Sequence, residues 1–139
     1  MKKFLTICLV MCLLTTMELI PAYAFSEAED EISPMAMYYV TATASLSISS
    51  TGKATATGTI SGLVGTTTKT TVHLYLQKYE DGEWVDVADW IESNEAVNTS
   101  LTKTKSSLTR GKYRAKASCY AYSGSDYERV IKYSSEVTY

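Results

Sequence analysis

Few side chains in this sequence combine in ways that could do chemistry. Nucleophilic catalysis needs a serine or cysteine beside a base that is itself held in place. The one histidine, His73, stands in the middle of an alternating run, and no G-x-S-x-G turn occurs anywhere. Of the three cysteines, Cys8 and Cys12 fall in an apolar N-terminal run and Cys119 lies on an alanine-lined strand face. There a thiol packs as a small apolar group; a reactive or dimer-forming thiol is the other reading. One histidine and one remaining cysteine do not make a typical zinc site. Asp86, Asp89, Glu92 and Glu95 cluster in sequence, close to Asp81 and Glu83. Paired carboxylates could cleave a glycoside, and converging oxygens could hold calcium. These acids, however, belong to a hairpin and its exit, and "EDGE" is a short loop, so a solvated edge is the better reading. The expectation is a protein that is not an enzyme and has no cofactor, no metal and no catalytic residue.

The aromatic residues offer more. "EWVDVADWIE", residues 83–92, holds both tryptophans, Trp84 and Trp90. On an ideal strand they share one face with Asp86 and Ala88, while Val85, Val87 and Ile91 share the other. If the valine face is the core, both tryptophans point outward near Tyr75 and Tyr79. Such a row, Trp84, Trp90, Tyr75 and Tyr79, could stack on sugar rings, because these side chains combine a flat apolar face with a polar tip. The opposing reading starts from the inward faces, which are dominated by alanine. A sandwich about 10 Å thick needs large side chains opposite small ones, and the tryptophans could be that filling. A β-bulge in this strand would change which residues share a side.

These residues need strands to position them, and the pattern supplies strands. From residue 38 onward the chain alternates with period two. In "YVTATASLSIS" Val40, Ala42, Ala44, Leu46 and Ile48 lie on one face, with serines and threonines on the other. "KATATGTISGL" alternates through Ala54, Ala56, Gly58 and Ile60. "TTVHLYLQKY" turns Val72, Leu74 and Leu76 one way and His73, Tyr75, Gln77 and Tyr79 the other. Asp81 and Gly82 then form a hairpin turn, since both tolerate positive φ. "WVDVADWI", "AVNTSLTKT", "GKYRAKASCYAYS" and "RVIKYSSEVTY" complete about seven strands without a helix. That is the pattern of an all-β, antiparallel immunoglobulin-like sandwich of the fibronectin III kind, with a closed barrel as runner-up. Gly111 and Tyr113 fit a tyrosine corner leading into a strand with Ala115, Ala117 and Cys119 inward. The antibody-type disulfide partner is missing.

The N-terminus speaks to location. Lys2 and Lys3 precede the uncharged run "FLTICLVMCLLTT", and "PAYA" ends in an A-x-A site at Ala22 and Ala24. These are the marks of a secretory signal peptide, and the run is short of the ~20 residues a membrane span requires. Cleavage is expected after Ala24. The expected organisation is a signal peptide over 1–24, an acidic flexible leader over 25–38 and a β-sandwich domain over 39–139. Without Lys2, Lys3 and Glu18, the 13 basic and 15 acidic residues become 11 and 14. Residues 39–139 carry 11 basic and 10 acidic groups, with no basic stripe to meet phosphates, so nucleic acid is not an expected partner.

The signal peptide, "LYLQKYEDGEWVDVADW" and "GKYRAKASCYAYS" together resemble small secreted domain-of-unknown-function proteins of Gram-positive bacteria. The resemblance covers most of the mature chain and rests on structural motifs, a hairpin and a corner, so it implies a fold and carries no activity over. The expected protein is secreted and extracellular, a non-enzymatic interaction or adhesion module whose partner is an extracellular protein or a polysaccharide. Its alternatives are a carbohydrate-binding module with an aromatic sheet face, or a self-assembling surface subunit.

Overall fold

A computed structural model of the protein describes residues 37–139; the expected signal peptide and residues 25–36 of the expected leader lie outside them. The described chain is all β. Its strands are β1 (Tyr39–Ile48), β2 (Ala54–Gly62), β3 (Lys69–Glu80), β4 (Glu83–Asn94), β5 (Asn98–Lys105), β6 (Lys112–Ser123), β7 (Asp126–Tyr133) and β8 (Val137–Thr138). They form two sheets, a three-stranded one in the order β1-β2-β5 and a five-stranded one in the order β4-β3-β6-β7, with β8 also on β6. Every pairing is antiparallel. Among the described residues no helix is long and apolar enough to cross a membrane.

The two sheets pack through the alternating apolar faces. Val72, Leu74, Ala115, Ala117, Cys119 and Ala121 from one meet Ala42, Ala56, Ile60 and Leu101 from the other. The alanine-rich composition calls for thin packing, and Gly58 supplies it. A Cβ there would lie 2.8 Å from Val72 Cγ1 and 3.1 Å from the Ala117 Cβ. The bare backbone therefore lets the sheets close on each other where side chains are smallest. Larger groups fill one end, where Trp90, Leu46, Ile48 and Tyr139 pack around Leu76, Ala54 and Tyr113.

Three details depart from the simple alternation. A register shift between Tyr39 and Thr41 turns Val40 outward, 65% exposed, and Tyr39 packs against the core instead. The last run is not one strand: the hydroxyl and amide of Ser134 bond to Ala115 and divide β7 from β8. The end of the expected leader is held, since Glu128 Oε2 accepts the amides of Met37 and Tyr38 at 2.9 Å each. Elsewhere the chain follows its pattern. Asp81 and Gly82 take φ of 52° and 88° and join Glu80 to Glu83 in a two-residue turn. The Tyr113 hydroxyl donates to the Thr109 carbonyl at 2.7 Å, and Gly111 exchanges backbone hydrogen bonds with Tyr139.

Candidate functional site on the five-stranded sheet

One irregularity decides where the tryptophans go. In the β3–β4 pairing Leu76 lies opposite Ala88 and Gln77 opposite Asp86, which leaves Val87 as an extra residue. This bulge reverses the faces of the residues on either side of it. Trp90 pairs with Leu74 and packs against the core; Trp84 pairs with Tyr79, two residues along from Gln77, on the outward face. The four-residue platform of Trp84, Trp90, Tyr75 and Tyr79 is therefore divided: Trp90, half-buried, packs against the core, and the other three look outward.

The outward face is ordered by register into cross-strand rows. Trp84 and Tyr79 lie side by side at the hairpin end, ring centroids 5.2 Å apart. Next come Asp86, Gln77 and Arg114, then Asp89, Tyr75, Lys116 and Tyr133. Beyond His73, Ser118 and their neighbours, the far end carries Tyr120 beside Arg129 and Tyr122 beside Tyr127. Arg114 and the outward tyrosines of β6 and β7 were not singled out from sequence. The signal was available: once Tyr113, Ala115, Ala117 and Cys119 are inward, Arg114, Lys116, Ser118 and Tyr120 must be outward.

Two aromatic groups result. In the first, the Arg114 guanidinium sits 4.3 Å from the Trp84 ring and 4.2 Å from the Tyr133 ring, between both. Its Nε donates to Gln77 Oε1 at 2.8 Å, and Gln77 Nε2 donates to Asp86 Oδ1 at 2.8 Å. A cation between two aromatic faces is attracted by both quadrupoles, and the hydrogen-bonded chain holds the fork in place. In the second, Tyr120, Tyr122 and Tyr127 contact one another with centroids 5.6–6.4 Å apart. Lys69 lies over Tyr122 and Arg129 over Tyr120. Tyr127 is 60% exposed.

Between these groups stands the only histidine. Its Nε2 lies 3.0 Å from Asp89 Oδ2, and its Nδ1 lies 2.7 Å from the Tyr75 hydroxyl. The network assigns the proton to Nε2, so that His73 donates to Asp89 and accepts from Tyr75. A base held by a carboxylate and facing a hydroxyl has the form of a catalytic relay, but the phenol is not an activated nucleophile. Burial, followed by the nearby Asp86, Tyr120 and Asp89, raises the Tyr75 pKa above its ordinary value, against an opposing effect of Arg129. The proton therefore stays on the oxygen, and the three groups form a lock across β3 and β4. Asp86 and Asp89 are each engaged by a neighbour, while Glu92 and Glu95 bond Asn94 and Lys69; the acidic cluster does not converge. No group of three or more metal-ligating side chains gathers among the described residues. Cys119 is fully buried and its Sγ faces the Thr59 carbonyl at 3.7 Å. Burial pushes its pKa up to about 12, which suits a packed thiol and not a reactive one.

The outward face of the three-stranded sheet is different in kind. Its rows read Thr41, Ser61, Asn98; Thr43, Thr59, Ser100; Ser45, Thr57, Thr102; and Ser47, Thr55, Thr104. Hydroxyls bridge the strands at Thr43–Thr59 (2.6 Å) and Thr57–Thr102 (2.9 Å), and Ser61 donates to Asn98 at 2.7 Å.

No protein-family model matches the chain, and neither a curated protein nor a solved structure matches it.

Proposed function

We propose that the protein is an exported, non-catalytic immunoglobulin-like module of the fibronectin III kind that binds a protein partner through the outward face of its five-stranded sheet. The observation that carries this reading is the concentration of Trp84, Tyr79, Tyr133, Tyr127 and Arg114 on a face that contributes nothing to the core. Tryptophan, tyrosine and arginine are the residues enriched where protein interfaces hold their binding energy. The fold assignment draws support from the β1-β2-β5 and β4-β3-β6-β7 orders and from the Tyr113–Thr109 bond at a tyrosine corner. Export rests on the N-terminal pattern that ends at Ala24.

A protein partner fits better than a sugar at the Trp84 end. Trp84 and Tyr133 each turn one ring face to Arg114, which leaves a stacking sugar half of the flat apolar surface the two rings have. A polypeptide can use ring edges, phenol hydroxyls and the guanidinium rim as they stand. Carbohydrate is the second reading, favoured by the exposed Tyr127 at the far end.

A photo-crosslinking residue placed in turn at Tyr133, Tyr127 and Thr57 tests the reading on protein added back to intact producing cells and their medium. Discrete protein adducts from Tyr133 and Tyr127 but not from Thr57 are expected. Equal adducts from all three, or none, would sink it. Retention on cell-wall polysaccharide that is lost on Tyr127→Ala would transfer the proposal to carbohydrate. Export is checked separately: the N-terminal residue of material in the medium should be Phe25.

A further inference from the structure

Among the described residues the two sheets have four long edge strands, β1 and β5 on one and β4 and β7 on the other, with the two-residue β8 beyond β7 on β6. An edge exposes unpaired backbone donors and acceptors, and proteins protect edges with charges, inward-pointing lysines or bulges. Three of these edges are protected. β4 carries Glu83, Asp86, Asp89 and Glu92 and the bulge at Val87. β5 ends in Lys103 and Lys105, which pair with Ala56 and Ala54 and so stand on the inward side of the sheet. β7 carries Asp126, Glu128, Arg129 and Lys132. β1, "YVTATASLSI", is ten residues long and has neither a charge nor a proline; its one register shift lies at its start, before Thr41.

The covering of apolar side chains singles out the same strand. On β2 the inward Ala54, Ala56 and Ile60 are 1–2% exposed. On β1 the inward Ala42 is buried, but Ala44, Leu46 and Ile48 beyond it are only half-buried. The sandwich is thus incompletely closed along β1, and one more strand beside it would cover what the second sheet does not reach.

We infer that β1 is the edge by which two copies of this chain pair, antiparallel, β1 against β1, about a two-fold axis. Antiparallel self-pairing sets an edge against an identical strand, so an edge whose charges are all of one sign meets its own kind. That repulsion works against β4, whose charges are all acidic, and β5, whose charges are both lysines; β7 carries both signs and is shorter, at eight residues. β1 has no charge to repel a second copy and none to attract a charged foreign strand. The join makes one six-stranded sheet in the order β5-β2-β1-β1-β2-β5. Its outer face continues the serine and threonine rows across the axis, where hydroxyl pairs like Thr43–Thr59 can form again. An isologous contact of this kind closes after two copies. A single strand pair buries a small area, so the association is expected to be weak and dependent on concentration.

Sedimentation of protein produced from the full-length sequence, from micromolar to near-millimolar concentration, tests this. Expected is a monomer–dimer equilibrium that Ser45→Lys weakens at least tenfold and that Thr102→Lys, on the same face but at the β5 edge, leaves unchanged. A cysteine scan removes dependence on how the lysine variant folds. With Cys8→Ser, Cys12→Ser and Cys119→Ala in the background, Thr43→Cys, Ser45→Cys and Ser47→Cys are oxidised one at a time beside a Thr102→Cys control. One β1 position should form a disulfide dimer and the control should not. A monomer at every concentration overturns the inference. So does a dimer indifferent to Ser45→Lys, a dimer equally sensitive to Thr102→Lys, or crosslinking at Thr102→Cys alone.

Discussion

The outward faces of the two sheets share a backbone plan and differ in almost everything else. Both lie across a common core from one another and both are fed by strands that alternate with period two. On the three-stranded sheet the outward positions are short hydroxyl side chains that satisfy one another across strands. They lose little rotamer freedom and present an uncharged surface. On the five-stranded sheet many outward positions are long aromatic and cationic side chains stacked on each other, joined by Asp86, Asp89, Gln77 and His73 in hydrogen bonds. Holding those side chains in one arrangement costs conformational entropy, and a sheet does not require it, as the hydroxyl face demonstrates. The difference teaches that inward residues are dictated by the fold, whereas outward ones are free to be set by what the surface meets.

The largest effect that could break this contrast concerns the tryptophans. If the Val87 bulge divides them, Trp90→Ala should cost about 3 kcal/mol, as for a large core side chain, and Trp84→Ala about 1 kcal/mol, as for a stacked surface ring. Denaturant unfolding of the two variants reads the difference. Fluorescence checks it independently: the Trp84→Phe protein should emit to the blue of the Trp90→Phe protein and resist quenchers better. Equal costs and equal spectra would return both rings to one face.

Alkaline pH separates the regions by a different property. The hydroxyl face has no group that titrates in water, whereas the core holds Cys119 and the aromatic face holds Tyr75. Both have pKa values raised in the folded protein, the thiol from 9.0 to about 12. A raised folded pKa means that the stability linked to the neutral form is fully present below the unfolded value. It is lost as pH rises through the folded value, here from about pH 9 toward 12 for the thiol. While only the unfolded thiol is ionised, Cys119 contributes a slope of about 1.4 kcal/mol per pH unit. Cys119→Ala should flatten the alkaline limb of a stability–pH curve by about one proton, and a threonine substitution such as Thr57→Ala should leave its slope unchanged.

The sequence was a good guide where physics is local and a poor one where it is not. The inward sets Val72, Leu74, Leu76 and Tyr113, Ala115, Ala117 follow from alternation alone, and Asp81-Gly82 marks its turn because few other pairs accept positive φ. The bulge at Val87 has no such mark: Asp86, Val87 and Ala88 contain no glycine or proline, and the extra residue is defined only by what β3 places opposite. The outward turn of Val40 is hidden in the same way. That alanine faces could pack directly over much of the sandwich, with Trp90 filling only one end, depends on Gly58 meeting Val72 and Ala117 across it. Most of the candidate site was hidden for a related reason. Arg114 lies 30 residues beyond Trp84 and 19 before Tyr133, and only the cross-strand register brings the three together.

The direct comparison of the faces is the smallest in magnitude and the most specific. Arg114→Ala removes the cation between Trp84 and Tyr133 and the hydrogen bond to Gln77, whose side chain is otherwise well covered. A cost of about 1–2 kcal/mol is expected, from the stacking and from an amide oxygen left without its partner. Arg114→Lys should recover only part, because an ammonium cannot lie flat between two rings. On the other face Thr57→Val removes the bond to Thr102 while keeping the β-branched shape. Its two partners are exposed to water that can replace them, so the change should be within about 0.5 kcal/mol. The two numbers matter together. If Arg114→Ala were as cheap as Thr57→Val, the stacked arginine would lend the sheet no stability and the ring faces of Trp84 and Tyr133 would be open to a ligand. A sugar would then fit the Trp84 end as well as a protein does. If Arg114→Ala is the costlier by a kcal/mol or more, the rings are committed to the guanidinium, and a partner must take that surface as an already assembled unit.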